Sequence, residues 1–365
     1  MRISSLRLIA GGEQVPFQID HRNPAGHLLP PGDLTLDPQD ELVFVCLSDR
    51  QTTLHLYGST EPRPSVVFSF GVKVTSVRDG GDRSHYVLSR AGLRIGIQGA
   101  GALDPAAHAP TNHGRGSVVE LTWRGRSAIW PSMNWAVYMN GHPFSIKRWR
   151  SVKLILDGPV RKVVAVEGVG KVVKDKDGAI VRRVDVTRYF SMFAGVPLYD
   201  IEDVLQCEQV QPAWTVTYTD RFFAGRARDS SDVLWDGSTG VLRQFRLADR
   251  DIKNNSTGGL VNTKDVSAGW CAWYDTKENQ GLAVFYRPAG VAVDRVSFES
   301  GWELYSSVNR MSFAYNELRT PRSLWHRFRI IGLTGVGSAQ VATEHGLWVD
   351  DARLPTTIGT LERRS

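Results

Sequence analysis

The sequence predicts an all-β protein: a large antiparallel β-sandwich, a supersandwich, with few or no helices. Three observations lead there. Apolar and polar residues alternate with period two along most of the 365 residues. β-Branched and aromatic residues fill the alternating runs, and Gly, Asp, Asn or Pro bound them. Helical stripes are missing, apart from one weak candidate over 336–345.

The strands follow one another in this order. "ELVFVCL" (41–47), "SVVFSFGVKVTSV" (65–77), "HYVLSRAGLRIGIQ" (85–98) and "SVVELTWRG" (117–125) alternate cleanly. So do "RKVVAVEGVGKVV" (161–173), "IVRRVDVTRYFSMF" (180–193) and "LYDIEDVLQCEQV" (198–210). "GWCAWYDTKENQGLAVFYRP" (269–288) and "SLWHRFRIIGLTG" (323–335) close the series. Asp177-Gly178 suits a two-residue hairpin turn, "RDGGDR" (78–83) reads likewise, and "TKENQG" (276–281) is a longer turn. Many antiparallel strands must hide their apolar faces on one another, which two packed sheets achieve. Residues 1–60 are expected to form a small strand layer packed on a main supersandwich domain, 61–365. Long Pro/Gly-rich stretches at 22–38 and 99–116 read as surface loops.

Composition limits the function. The formal charge of +6 favours an anionic partner. Long Lys/Arg runs and the nucleic-acid-binding signatures are missing, so an acidic sugar polymer is preferred to nucleic acid. No apolar run is long enough for a membrane helix, so no membrane partner is expected. Cys46, Cys207 and Cys271 are far apart, without metal-ligand spacing, and read as buried reduced thiols. With no apolar leader at the N-terminus the expected location is cytoplasmic, or secreted if a leader has been removed. A homo-oligomer is compatible with all of this.

One stretch carries more chemistry than the rest. "PSMNWAVYMNGHPFSIKRWR" (131–150) holds two Trp, a Tyr, two Asn, a His and three Lys/Arg, and no carboxylate. Aromatic rings offer flat surfaces for sugar faces. Asn amides pair with hydroxyls, and Arg forks match carboxylates. Asn134, Trp135, Tyr138, Asn140, His142, Lys147, Arg148 and Arg150 therefore read as a site for an acidic sugar. On a strand, Asn134, Ala136, Tyr138 and Asn140 share one face, with His142 assigned to it as well. Trp135, Val137 and Met139 share the other and are equally suited to a core.

Three further segments are candidates. "HAPTNHGRGS" (108–117) puts His108, Asn112, His113 and Arg115 on a loop, where catalytic groups often sit. "HRNPAGH" (21–27) is similar but weaker. "TVTYTDRFF" (215–223) sets Thr215, Thr217, Thr219 and Arg221 on one face, and Tyr218 with Asp220 on the other. "SSVNRMSFAYNE" (306–317) adds Asn309, Arg310, Tyr315 and Asn316. No cofactor is expected: HExxH, EF-hand, P-loop and dinucleotide fingerprints are missing. "DVLWDGSTG" (232–240) offers too few ligands to support calcium.

"VPFQID" (15–20) followed by "DELVFVCLSD" (40–49) resembles the opening of carbohydrate-active proteins related to the exo-acting rhamnogalacturonan lyases. "HYVLSRAGLRIGI…GSVVELTWRG" followed by "DGPVRKVVAVEG" (157–168) is similar to an order found in galactose-mutarotase-like β-supersandwich proteins. The resemblance implies that fold and a carbohydrate substrate. The leading expectation is a lyase that cleaves a uronate-containing poly- or oligosaccharide by β-elimination. Arg148, Arg150 or Arg115 with Asn134 would neutralise the carboxylate, His113, His142 or a tyrosinate would take the proton, and Tyr138 or Tyr218 would protonate the leaving oxygen. Asn112, Trp135 and Asn140 would bind sugar. The alternatives are a glycoside hydrolase using two carboxylates among Glu120, Asp220, Glu299, Glu303 and Glu317, a mutarotase-like epimerase, or a non-catalytic carbohydrate-binding protein. Adjacent Glu202 and Asp203 fall on opposite strand faces and cannot be a carboxylate pair.

Overall fold

A computed structural model describes residues 6–23, 27–31, 40–44, 54–58, 71–79, 83–98, 101–102, 118–127, 134–139, 142–172, 183–207, 215–223, 232–236, 242–246, 270–286, 292–300, 304–314 and 322–351. For 134–149, 215–223, 292–300 and 304–314 the description is of the backbone and its pairing. Short strands come first: β1 (Leu6–Ala10), β2 (Glu13–Val15), β3 (Phe17–Asp20), β4 (Glu41–Phe44) and β5 (Leu54–Gly58). Next are β6 (Lys73–Asp79), β7 (Arg83–Arg90), β8 (Leu93–Gln98), β9 (Gly101–Ala102), β10 (Val118–Trp123) and β11 (Arg126–Ser127). The longer strands are β12 (Asn134–Met139), β13 (His142–Asp157), β14 (Arg161–Val172), β15 (Arg183–Phe193), β16 (Leu198–Cys207) and β17 (Thr215–Phe223). β18 (Asp232–Asp236), β19 (Arg243–Arg246), β20 (Trp270–Asp275), β21 (Gln280–Tyr286), β22 (Ala292–Ser300), β23 (Leu304–Ala314) and β24 (Arg322–Thr334) follow, then helix α1 (Ser338–Asp351).

Among the described residues these strands make four sheets. One has 14 strands, in the order β19-β18-β20-β21-β24-β16-β15-β14-β13-β12-β17-β23-β22, with β9 also paired to β13. A second runs β11-β10-β8-β7-β6. The strands through Gly58 form β2-β1-β5 and β3-β4. The expected all-β antiparallel architecture is what the chain adopts. The turn at 276–279 is built as its residues dictate. Asp275 Oδ1 accepts the backbone N–H groups of Lys277 (2.9 Å) and Glu278 (3.1 Å), and Asn279 takes a positive φ of 52°. The weak helical candidate at 336–345 is helical from Ser338, and Val341 is its buried contact.

The five-stranded sheet lies on one side of the great sheet. Trp123 of β10 donates its indole N–H to the Leu333 carbonyl at 2.9 Å, and its ring lies against Gly332. A Cβ on Gly332 would come within 2.6 Å of that ring, so glycine here is a packing requirement. Arg126 stacks over Trp273 at 4.7 Å and hydrogen-bonds Asp275. These contacts make the molecule a sandwich.

The other side is covered at two places. At β18–β21 and β24, Trp235, Trp270, Tyr274, Phe285 and Leu333 form a core cluster with Val341 of α1. At β14–β16, Leu28 packs with Leu156, Val163, Ala165, Tyr189 and Val204. Each buried aromatic or aliphatic side chain contributes about 1.5–3 kcal/mol. The N-terminal segment is thereby seated on the great sheet by apolar contacts as well as by the charged ones described next.

Candidate functional site

The segment between β3 and β4 binds the sheet through buried ion pairs. Arg161, at the start of β14, is 1% exposed, and its Nε donates to Asp20 Oδ2 at 2.5 Å. Its backbone N–H and that of Val160 both donate to Gln18 Oε1, at 2.8 and 3.0 Å. Arg22 grips Glu202 through Nη1 (2.6 Å) and Nη2 (3.0 Å), and Glu41 Oε2 accepts from Arg22 and from Arg161. Burial opposes the charge on Arg22. Glu202, by its charge and hydrogen bonds, and then Glu41 outweigh this and raise the guanidinium pKa. Beside them His21 Nδ1 meets Asp40 Oδ1 at 2.7 Å, and His27 Nδ1 meets the Tyr189 hydroxyl at 3.0 Å. Burial, then the charge of Glu202, pushes the Tyr189 phenol above its ordinary value.

The adjacent acids of β16 face opposite ways, as strand alternation requires. Glu202 meets Arg22, and Asp203 accepts from Arg188 Nε at 2.8 Å. Asp200 takes a two-pronged contact from Arg329, at 2.8 and 3.0 Å. Sequence reasoning singled out 21–27, with His21, Arg22 and His27, as a weaker candidate, but not their partners on the great sheet. The acids and arginines of this seam are scattered over 300 residues, and only the pairing of distant strands unites them. The signal available was "VPFQID" with "DELVF", which place acids at the ends of β3 and β4.

A different arrangement lies at β12, β17, β23 and β22. Three segments chosen from the sequence, 131–150, 215–223 and 306–317, become neighbouring strands there. Their register lines up whole rows. Asn134 stands opposite Arg221, which stands opposite Ser307, then Ser297. The next such row is Ala136, Thr219, Asn309, Arg295, and the third is Tyr138, Thr217, Ser312, Ala292. Between them run Trp135, Asp220, Val308, Val296 and Val137, Tyr218, Met311, Val293. Partners directly opposite share a side of the sheet. On β12 and β17 one side therefore collects hydroxyl, amide and guanidinium residues, and the other mostly apolar ones. The three polar rows contain no carboxylate. The register shifts between Tyr218 and Thr219, so Arg310 and Asp294 fall between the second row and the third; Asp294 is in phase with Ala292 of the third row, and Glu299, opposite Tyr305, is in phase with Arg295.

Register also carries the polar rows to the covered side of the sheet. Tyr138 is opposite Pro143, and Ser145 is opposite Lys171. Lys171 is in phase with Ala165, the partner of Tyr189. The Tyr138 and Tyr189 rows thus share a side, eight residues or about 26 Å apart along the strands at ~3.3 Å per residue.

The remaining expected site residues divide as follows. His142 is opposite Met139, not in phase with Tyr138, because the chain reverses after Met139 and parity changes across a two-residue link. Its grouping with Asn134 and Tyr138 is corrected accordingly. Tyr218 stands in the row of Val137, so the register separates it from Tyr138. Trp135 likewise stands out of phase with Asn134. Arg150 is exposed and lies 3.5 Å from Asp185, an ion-pair partner within the protein. Arg148 and Trp149 pair with Ala102 and Gly101 of β9, on the side of β13 that β12 borders further along. Ala102, the last described residue before the predicted loop with His108, Asn112, His113 and Arg115, stands opposite Arg148. Those four residues, with Asn140, Tyr315, Asn316, Glu303 and Glu317, lie outside the described residues, as do Asp177-Gly178 and Cys46. Glu120 is on the five-stranded sheet, paired with Arg94 at 2.5 Å, and is remote from the polar rows. Among the described residues no cluster of His, Cys, Asp or Glu has metal-binding form. No helix among them is long and apolar enough to cross a membrane.

The fold and these rows define an all-β sandwich with a carboxylate-poor polar sheet face. Among solved structures the chain is similar to a galactose mutarotase-like protein from Clostridium acetobutylicum, with 9% identity, 72% of this chain and 99% of that one covered, and a TM-score of 0.41. It is similar to a galactose mutarotase-like protein from Lactobacillus casei, with 6% identity, 71% and 100% covered, and a TM-score of 0.41. It is also similar to a protein in the glycosyl hydrolase family 38 from Enterococcus faecalis, with 9% identity, 96% of this chain and 41% of that one covered, and a TM-score of 0.49. No protein-family model matches the chain, and no curated protein matches it in sequence. These likenesses are shallow, so the fold class stands on the chain's own pairing and the function on its own residues.

Proposed function

We propose that the protein is a carbohydrate-active enzyme that takes an acidic glycan on the β12-β17-β23-β22 face and cleaves it as a lyase, by β-elimination next to a uronate. The observation that carries this reading is the set of three polar rows with two arginines and no acid. A uronate carboxylate set against Arg221, Arg295 or Arg148 is partly neutralised, which acidifies the proton on the carbon beside it. A base removes that proton, the electron pair forms the new C4–C5 double bond, and the bond to the leaving oxygen breaks. Tyr138 returns a proton to that oxygen. His113 is the proposed base; the strand that precedes it in the chain ends at Ala102, opposite Arg148.

The test is direct. The protein is incubated with pectic, algal and plant-gum oligosaccharides, and ultraviolet absorbance of an unsaturated product is followed. Tyr138→Phe and His113→Ala should each lower the rate about 10²–10⁴-fold with the fold intact by circular dichroism. Saturated products would instead mark a hydrolase, anomer interconversion an epimerase, and binding without turnover a carbohydrate-binding protein. Full activity in both variants removes the assignments.

A further inference from the structure

We infer that Tyr189 fixes the tautomer of His27, so that the imidazole offers its Nε2–H, as an uncharged donor, to an oxygen of the bound glycan. The ligand part of this inference rests on the function proposed above. Tyr189 is 2% exposed, while His27 is half-buried at the border of the N-terminal segment. Their rings meet edge to face, with centroids 6.5 Å apart and planes at 70°. His27 is pinned through its main chain as well. Its N–H donates to Asn23 Oδ1 at 2.9 Å, and its carbonyl accepts from the Asn23 N–H at 2.9 Å.

The direction of the Tyr189–His27 bond follows from its surroundings. Burial and the Glu202 carboxylate both disfavour phenolate, so the hydroxyl keeps its proton. Among the described residues His27 Nδ1 is the one hydrogen-bond partner of that hydroxyl. The phenol proton is then directed to His27 Nδ1, 3.0 Å away. A nitrogen that accepts carries no proton, so neutral His27 must carry its proton on Nε2. Among the described residues no partner meets Nε2. Tyr189 is a positioning residue here, and His27 is the group that would touch ligand.

An uncharged N–H suits a hydroxyl, ring or glycosidic oxygen, whereas the arginines of the polar rows suit a carboxylate. The Tyr138 row and Tyr189 lie on one side of the great sheet, eight residues or about 26 Å apart by strand rise, a span that takes an oligosaccharide and not a single sugar.

Nitrogen–proton correlation spectra of the histidine rings, recorded at mildly alkaline pH and assigned with His27→Gln, read the tautomer. Wild-type His27 should show the Nε2–H form. Tyr189→Phe, which keeps the ring, should mix the two forms. A wild-type Nδ1–H form overturns the inference, and so does a Tyr189→Phe spectrum like the wild type. Calorimetric titration with penta-galacturonate tests the ligand contact. His27→Ala should bind about tenfold more weakly, and His27→Gln, which retains an N–H donor, should bind within about threefold of wild type. Equal binding by all three overturns the donor role. Failure of the wild-type protein to bind or cleave any uronate oligosaccharide overturns the proposed function and the glycan contact, while the spectrum decides the role of Tyr189 independently.

Discussion

Two regions of one sheet handle charge in opposite ways. At β14–β16, Asp20, Asp200 and Glu202 on the side that the N-terminal segment covers, and Asp203 on the other, each meet an arginine within hydrogen-bonding distance. At β12, β17, β23 and β22, Arg221 and Arg295 stand in rows of amides and hydroxyls with no acid opposite them. Charge matched inside the fold serves to position one part of the chain on another. Charge left without an acid opposite, on an otherwise polar face, suits an anion from outside. If this contrast is right, substitutions in the seam should damage stability, and substitutions in the rows should damage binding or turnover.

The largest effect should come from splitting a fully buried pair. Arg188 and Asp203 have side chains 2% and 0% exposed. Arg188→Met leaves Asp203 buried without this guanidinium, and should cost about 3–5 kcal/mol in denaturant unfolding. Arg221→Met, by the same measurement, should stay within about 1 kcal/mol of wild type while weakening glycan binding. Equal destabilisation by the two variants would erase the distinction between the regions.

What could be read from the sequence divides along the same line. The period-two runs gave the strands and the antiparallel class, because alternation is a local property. The opposite facing of Glu202 and Asp203 was legible for that reason, and pairing bears it out with separate arginine partners. Segments 131–150 and 215–223 drew notice through composition alone, yet their rows appear only once β12 is known to pair with β17. The error over His142 is of the same kind: parity within a strand is local, but parity across a reversal depends on where the turn falls. The seam was legible only at 21–27, since Arg22 and its partner Glu202 are 180 residues apart and only strand pairing unites them.

Alkaline pH should act on the seam. The ordinary tyrosine value is 10.0, and the Tyr189 phenol is raised above it, first by burial and then by Glu202. Above that ordinary value the unfolded chain loses the phenol proton while the folded chain still holds it. The stability linked to this proton is complete below pH 10 and falls as pH rises from there toward the raised folded value. Tyr274 is shifted the same way, by burial, and adds to the trend. Thermal unfolding measured across this range should show Tyr189→Phe losing less stability with rising pH than wild type does. A parallel decline in both proteins would mean that the phenol does not report on the seam.

The smallest effect should be found at Arg150, which the sequence grouped with the site but which the structure sets against Asp185. The pair is 3.5 Å apart, with side chains 46% and 37% exposed, so water screens it on both sides. Exposed pairs of this kind contribute about 0–1 kcal/mol, and Arg150→Gln should unfold almost as wild type does. Glycan affinity then sharpens the boundary between the two regions. If the anion-binding face ends at β12, Arg150→Gln binds penta-galacturonate as wild type does, and Arg221→Gln binds it about tenfold more weakly, the loss expected when one charge-assisted hydrogen bond is removed. A tenfold loss from Arg150→Gln as well would extend the face across β13 to Asp185, and would mean that Arg150 exchanges its internal carboxylate for that of the substrate.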